Sequence, residues 1–210
     1  MQGNNRMVPM KNIQRICVYC GSGTGTDPAY VQAAEQFGRI LAREKVGLVY
    51  GGGAIGIMGA ISNAVLENGG EVTGIIPEFL MTRERAQPNG HDLIVTHDMH
   101  ERKRRMFDMA DAFVALPGGV GTLEEVVEQI TWMQLGRHMK PILLANIKGF
   151  WNPLCLLLDH MKTLEFIRPG LDFTLLVTDD VREILPMVRK AAAAVPEEAR
   201  KMEPTAAERL

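Results

Sequence analysis

Seven short apolar runs punctuate the chain: RICVYC (15–20), GLVYG (47–51), EVTGIIP (71–77), DLIVTH (92–97), DAFVALP (111–117), PILLANI (141–147) and FTLLVTD (173–179). Several are nearly continuous in Val, Ile and Leu instead of alternating with polar residues. That is the pattern of strands covered on both faces in a parallel sheet. Between them apolar positions recur at helical spacing and predict helices at about 28–45, 55–68, 98–110, 122–136, 152–163 and 180–194. Strand and helix alternate throughout, so the expected class is α/β and doubly wound, a mostly parallel sheet with helices on both faces. No repeat or linker interrupts the pattern, and one domain is expected over 1–210, with an ordered core at about 13–194 and flexible tails. The connection EFLMTRERAQPNGH (78–91) is polar and longer than most in compact domains, a length often associated with function. The segment after Ala194 is charged and broken by proline, which suggests a frayed helix or a disordered end.

Composition narrows the function classes. The 210 residues, 46% of them hydrophobic, suffice for a sizeable core. Lys plus Arg number 23 against 25 Asp plus Glu, and the net charge of −2 provides no general field for nucleic acid or an anionic membrane. Any anion site must be local. The 3 cysteines, Cys17, Cys20 and Cys155, are too few and wrongly spaced for a zinc set. Cys17 and Cys20 should point to opposite faces of a strand, and all three are expected to be buried thiols in a reducing cytoplasm. The N-terminal MQGNNRMVPMKN has no apolar signal core and no run approaches a membrane span, so a soluble cytoplasmic protein is expected.

Three glycine-rich segments each follow a predicted strand and precede a predicted helix: CGSGTGT (20–26), YGGGAIGIMG (50–59) and PGGVGT (117–122). Such turns fall on the carboxyl edge of a parallel sheet, where ligands bind at the point at which strand order reverses. Glycine lets the backbone approach a ligand closely, and the free N–H groups of a helix start favour an anion. Gly51, Gly53 and Gly56 fit GxGxxG, but the next strand ends GIIP with Glu78 just beyond it and Glu71 at its wrong end. The acid that would hold a dinucleotide ribose is therefore missing, which counts against a nicotinamide-dependent oxidoreductase. No P-loop consensus occurs either. Tight packing explains any one glycine turn; three together point to phosphate, with Ser22, Gly52 and Gly53 as candidates for further phosphate or ribose contacts.

Two residues stand out beside these turns. Met99, Arg102, Met106 and Met109 fall on one helical face, so an arginine sits inside an apolar stripe. Its methylenes could pack while the guanidinium reaches water, or the fork of donors could turn inward to an anion or developing charge. Lys103, Arg104 and Arg105 read as a solvated face, Lys103 being the exception to expect. Thr122 to Glu125 satisfies the capping-box pattern, and the local pattern favours that structural use of Glu125. Its place directly after GGVGT supports a working carboxylate instead, with Glu124 beside it.

With these residues together, the chain resembles the LONELY GUY (LOG) family, the cytokinin riboside 5'-monophosphate phosphoribohydrolases. The resemblance rests on YGGGAIGIMG, MHERKRRM and DAFVALPGGVGTLEEVVEQITWMQLG, continues through HMKPILLANIKGFWNPL, and covers roughly residues 15–180. It implies a Rossmann-like nucleotide-binding domain, a homodimer, and hydrolysis of adenine nucleoside 5'-monophosphates, AMP or N6-prenylated, to free base and ribose 5-phosphate. It implies Arg102 and Glu125 as the catalytic pair, and Gly118, Gly119, Val120, Gly121 and Thr122 as the cradle for the 5'-phosphate or ribose. Glu84, Lys103 and Thr131 match further substrate-contacting positions, with Glu124 next to them. Val120 stands where many relatives carry an aromatic side chain, which alters the shape of the pocket. Members have often been labelled lysine decarboxylases, yet nothing in the sequence supports a pyridoxal-phosphate site. The implied partner is a small nucleotide, without nucleic acid, membrane, metal or cofactor.

The residue types suit that chemistry. Cleaving a ribosyl C–N bond passes through an oxocarbenium-like state with positive charge on the sugar and negative charge on the departing base. A carboxylate stabilises the first and can orient or deprotonate water, the role expected of Glu125; Arg102 would position substrate and meet the opposite charge. The competing expectation is a non-catalytic nucleotide or molybdenum-cofactor carrier of similar architecture.

Overall fold

The computed structural model describes residues 13–84, 92–167 and 173–195. The expectations for residues 85–91 of the long connection and for both tails lie outside these residues. Strands β1 (Arg15–Tyr19), β2 (Gly47–Tyr50), β3 (Val72–Pro77), β4 (Asp92–Thr96), β5 (Ala112–Ala115), β6 (Ile142–Ala145) and β7 (Leu175–Thr178) form one sheet in the order β4-β3-β2-β1-β5-β6-β7. Every pairing is parallel. Helices α1 (Ala29–Arg43), α2 (Gly56–Glu67), α3 (Met99–Met109), α4 (Val120–Gln134), α5 (Asn152–Thr163) and α6 (Val181–Ala194) connect or follow them.

Strand periodicity sorts the core onto two faces. Ile16, Val18 and Cys20 join Leu48, Tyr50, Val114 and Leu143 under α1, α2 and α6, which contribute Phe37, Ile61 and Leu185. Cys17, Tyr19, Val49, Phe113 and Leu144 face the other way, toward Met106 of α3 and Val126 and Ile130 of α4. Cys17 and Cys20 thus lie on opposite faces as their spacing required. Cys155 departs from the expectation, since on α5 it is only half-buried.

Strand order reverses between β1 and β5, which pair Val18 with Val114 and Tyr19 with Ala115. The connections leaving those two strands run to opposite faces and leave a crevice at the carboxyl edge. There the turn after β1 is tied to the turn after β5: Gly21 N–H donates to Pro117 O at 3.1 Å. No described helix is long and apolar enough to cross a membrane.

α1 and α2 approach closely at Gly38. A Cβ there would lie 2.7 Å from the Ile61 carbonyl oxygen and 2.8 Å from Ala64 Cβ. Gly38→Ala should therefore lower unfolding stability by about 1–3 kcal/mol, read as a lower urea midpoint with an unchanged slope. An unchanged midpoint would show that the helices are not in contact there.

Candidate functional site

The glycine turns differ in what their backbone groups are doing. At the start of α2 the amides are already paired: Ile57 N–H donates to Gly21 O (3.1 Å) and Gly23 O (3.3 Å), and Met58 N–H to Gly21 O (3.2 Å). The first turn's carbonyls take the amides that a pyrophosphate would need, in agreement with the sequence argument against a dinucleotide at GxGxxG. Gly52 has φ 78° and its pro-Cβ position lies 3.0 Å from Ile76 Cβ, so conformation and packing require it. A Cβ at Gly53 would lie 2.7 Å from Met58 Cε. Ser22 is exposed at the rim.

α4 begins differently. Its first residue is Val120, with Gly119 as cap and no side-chain cap bond. Thr122 and Glu125 both lie inside the helix, so the capping box expected for them does not form. Among the described residues no acceptor pairs with the first-turn amides of Val120, Gly121 and Thr122, and the helix's own backbone bonding begins with Leu123 N–H donating to Gly119 O (3.0 Å). Gly118 is needed for packing, since a Cβ there would collide with the Thr122 side chain. At Gly119 and Gly121 an added Cβ meets nothing within 4 Å, and neither has positive φ. The protein itself does not need those two to be small, and open amides behind them make an anion cradle.

A true N-terminal box occurs instead at α3. Asp98 Oδ1 accepts from Glu101 N–H (2.8 Å), and Glu101 Oε2 accepts from His97 N–H (3.0 Å). This fixes the helix start and places Arg102 one turn in. The guanidinium does not reach out to solvent. Nε donates to Ile75 O at 3.1 Å, Nη1 lies 3.8 Å from Met99 Sδ, and Nη2 is 3.2 Å from Glu125 Oε1. Gly51 makes room for it, because a Cβ there would collide with Nη2 and crowd Met58 Sδ at 3.1 Å.

The Arg102 and Glu125 side chains are only 10% and 9% exposed. Burial pushes the Glu125 carboxyl up to about 7; Arg102 and Lys103 pull it down, and Glu124 and Glu128 add to the rise. Desolvation thus outweighs one close cation, and the group changes charge near neutral pH, as suits a general base. Cys17, Tyr19 and Cys20 also lie near this charge; burial first, with Glu125 among the further causes, pushes each up, so all three stay protonated.

Lys103 is no part of a solvated face. Its Nζ lies 2.7 Å from Glu124 Oε1 and 2.8 Å from Glu128 Oε1. Burial alone would lower its pKa, but the two carboxylates outweigh that and raise it. Glu84 projects to the same crevice: its Oε2 is buried without a hydrogen-bond partner among the described residues and lies 3.3 Å from the pro-Cβ position of Gly53. Val120 is 83% exposed at the mouth. Thr131 is not brought in. It sits about 9 Å further along α4 than Glu125, exposed, with its hydroxyl donating to Val127 O at 2.8 Å. Sequence reading placed Gly51 only in the GxGxxG pattern and missed the Ile75 carbonyl and Glu128. Of these last two, Glu128 had a visible signal, being four residues beyond Glu124 and so on the same helix face. Among the described residues no group of three or more His, Cys, Asp or Glu is placed to hold a metal ion.

Residues 58–188 match the family model described as "Possible lysine decarboxylase". The chain is 48% identical over 156 residues to a cytokinin riboside 5'-monophosphate phosphoribohydrolase of Arabidopsis thaliana, covering 74% of this chain and 72% of that one. It is 43% identical over 175 residues to the enzyme of that name from Rhodococcoides fascians, covering 83% and 88%. Among solved structures, the Moco carrier protein of Chlamydomonas reinhardtii superposes with a TM-score of 0.64 at 21% identity, over 88% of this chain and 100% of that one. The molybdenum cofactor binding protein of Rippkaea orientalis gives 0.62 at 20% identity, over 86% and 98%. At such identity these two show the fold alone.

The raised Glu125 carboxyl has a consequence for stability. Below its ordinary value of 4.5 it is protonated folded or unfolded; between 4.5 and about 7 the folded state retains a proton that the unfolded state releases. Its contribution to stability therefore falls as pH rises through that window and is level above it. The unfolding free energy of the native protein minus that of Glu125→Gln should fall by a few kcal/mol at most from pH 4.5 to 7.5, measured by urea denaturation at each pH. A difference that stays flat or rises would mean that Glu125 is ionised across the range.

Proposed function

This chain belongs to the LOG family of phosphoribohydrolases, and we propose that it hydrolyses the N-glycosidic bond of adenine nucleoside 5'-monophosphates, AMP or N6-prenylated cytokinin nucleotides, releasing free base and ribose 5-phosphate. The carrying observation is a buried, near-neutral carboxylate paired with a guanidinium next to a helix start whose amides have no partner. The named activity of relatives at 48% and 43% identity supports the same reading over the decarboxylase label of the family model.

In this reading the amides after Gly118 and Gly119, through Val120, Gly121 and Thr122, hold the 5'-phosphate, which makes a nucleotide a better substrate than a nucleoside. Glu84, whose buried oxygen lacks a donor, accepts one from the substrate. Water adds to C1′ as the C1′–N9 bond breaks and its electron pair leaves with the base. Glu125 accepts a proton from that water and stabilises the sugar's positive charge, while Arg102 orients the substrate and meets the negative charge on the departing base. The chain requires neither cofactor nor metal in this scheme. It acts as one nucleotide-binding domain in the reducing cytoplasm, a setting supported by its three free cysteines.

The protein is also proposed to act as a homodimer. Val120, Leu123 and Val127 on α4 and Leu156, Leu157 and Met161 on α5 are exposed apolar side chains. No residue of α5 is fully buried. Two neighbouring helices with apolar outer faces suit a self-complementary contact, and a copy seated there would bring further side chains near the mouth beside Val120. Leu157→Asp should halve the mass seen by sedimentation at micromolar concentration; an unchanged mass would remove this surface from the interface.

The catalytic reading is tested by following free base from AMP, N6-isopentenyl-AMP and adenosine in EDTA. Base should appear from the monophosphates and not from adenosine, and their rate ratio ranks the two. Glu125→Gln and Arg102→Ala should each lower kcat by about a hundredfold or more in folded protein. Wild-type rates in both variants would sink the assignment of the pair. Tight nucleotide binding without release of base would favour the carrier.

A further inference from the structure

The charged residues of α3 and α4 that meet at the site form two rungs side by side. Arg102 and Lys103 are consecutive on α3, and Glu124 and Glu125 are consecutive on α4. The inner rung is Arg102 to Glu125 at 3.2 Å; the outer is Lys103 to Glu124 at 2.7 Å and to Glu128 at 2.8 Å. Because each rung shares its backbone with the other, a tether on Lys103 Nζ also limits how far α3 can slide past α4, and with it the reach of Arg102 to Glu125.

The two carboxylates on Lys103 are unequal. Glu124 is 51% exposed and Glu128 only 20%. A pair open to solvent is screened and contributes little, whereas a sheltered one holds its geometry. Glu128 Oε2 is in addition buried without any partner among the described residues, which is unfavourable for stability. A group retained at such a cost is poorly explained by stability alone.

We propose that Glu128 is a positioning residue of this site: together with Glu124 it clamps Lys103 across α3 and α4, and so fixes where Arg102 meets Glu125. This rests on the hydrolase reading above. The clamp also enters the charge balance at Glu125, which faces Arg102 and Lys103 from α3, Glu124 and Glu128 from α4, and Cys17, Tyr19 and Cys20 from β1 and its turn. Of these, Arg102 and Lys103 lower the Glu125 carboxyl, and Glu124 and, after it, Glu128 raise it. With the Glu128 charge removed, Glu125 ionises at lower pH.

The test compares the native protein, Glu128→Gln, Glu128→Asp and Glu124→Gln in release of base from AMP between pH 5 and 9, each verified folded. Glu128→Gln should lower kcat about tenfold with a smaller change in KM and move the rising limb of the profile to lower pH. Glu128→Asp keeps the charge and should return the limb toward its native position; Glu124→Gln, whose charge weighs more on Glu125, should move the limb at least as far but lower kcat less, because its pair with Lys103 is the exposed one. A 13C-carboxyl titration of Glu125, assigned by its loss in Glu125→Gln, reads the same displacement without turnover. Native kcat and an unmoved titration in Glu128→Gln overturn the proposal, and so does lost rate with an unmoved titration, which marks loosened helices only. If Glu128→Gln fails to fold, Lys103→Met and Lys103→Met/Glu128→Leu replace it: the second substitution should cost nothing further, and additive losses overturn the proposal. A native protein silent on AMP and on N6-isopentenyl-AMP refutes the hydrolase reading, while the titration still decides the clamp.

Discussion

A carboxylate and a guanidinium held almost out of water are unfavourable unless each is given partners, and the Arg102–Glu125 contact sets much of the surrounding design. Mutual attraction in a site of low dielectric repays the desolvation only with good geometry and further hydrogen bonds. Arg102 has these: the Ile75 carbonyl takes Nε, Met99 sulfur flanks Nη1, and Gly51 leaves the space Nη2 occupies. Glu125 is less well served, and its carboxyl is pushed up to about 7 despite the cation beside it. The imbalance falls on the residue whose proton is exchanged in the proposed reaction, a placement typical of active sites.

Backbone accounting decides where an anion can sit. Three glycine turns share the carboxyl edge, but the first gives its carbonyls to the start of α2, so those two pack each other instead of a ligand. What remains open is the start of α4, directly beside Glu125. The same bonds place the turns after β1 and β5 in contact through Gly21 and Pro117, at the point where strand order reverses. The crevice is thus a consequence of topology, and its polarity a consequence of which helix start was left unsatisfied.

Sequence periodicity carried the architecture because strands such as GLVY and AFVA are buried on both faces and so read as continuous apolar runs. Helix limits came within a few residues, and α5 at 152–163 coincides. The local patterns that the fold overrides share a cause. The capping box for Thr122 and Glu125, the solvent-reaching use that was one of two open to Arg102, and the GxGxxG match at 51–56, already without its ribose acid, are each correct as local patterns, and each is overridden by a neighbour far away in sequence. Gly119 starts α4 earlier than the box requires; Ile75 and Glu125 draw Arg102 inward; Gly21 occupies the α2 amides. Lys103, Glu124 and Glu128 illustrate the same limit, since a run of charges on one helix reveals nothing of the run that faces it. Thr131, carried over by resemblance, points back to its own helix and would need another surface to bring substrate to it.

The position of Glu125 between a cation and an anion cradle bears on when its charge is useful. In the proposed reading a 5'-phosphate on the α4 amides adds negative charge beside a carboxylate that is already reluctant to ionise, so the ground-state complex would not gain from Glu125 being charged. Positive charge on the sugar appears only as the C–N bond lengthens, and at that moment the carboxylate gains a partner that water is not there to screen. An interaction weak with the substrate and strong with the transition state is the kind that raises kcat and not merely affinity. Arg102 has the converse part, since the charge it meets on the departing base also arises late. In the proposed reaction the pair is redistributed onto two developing charges of opposite sign as the bond breaks, so the close contact of Arg102 with Glu125 is compatible with a reactive site.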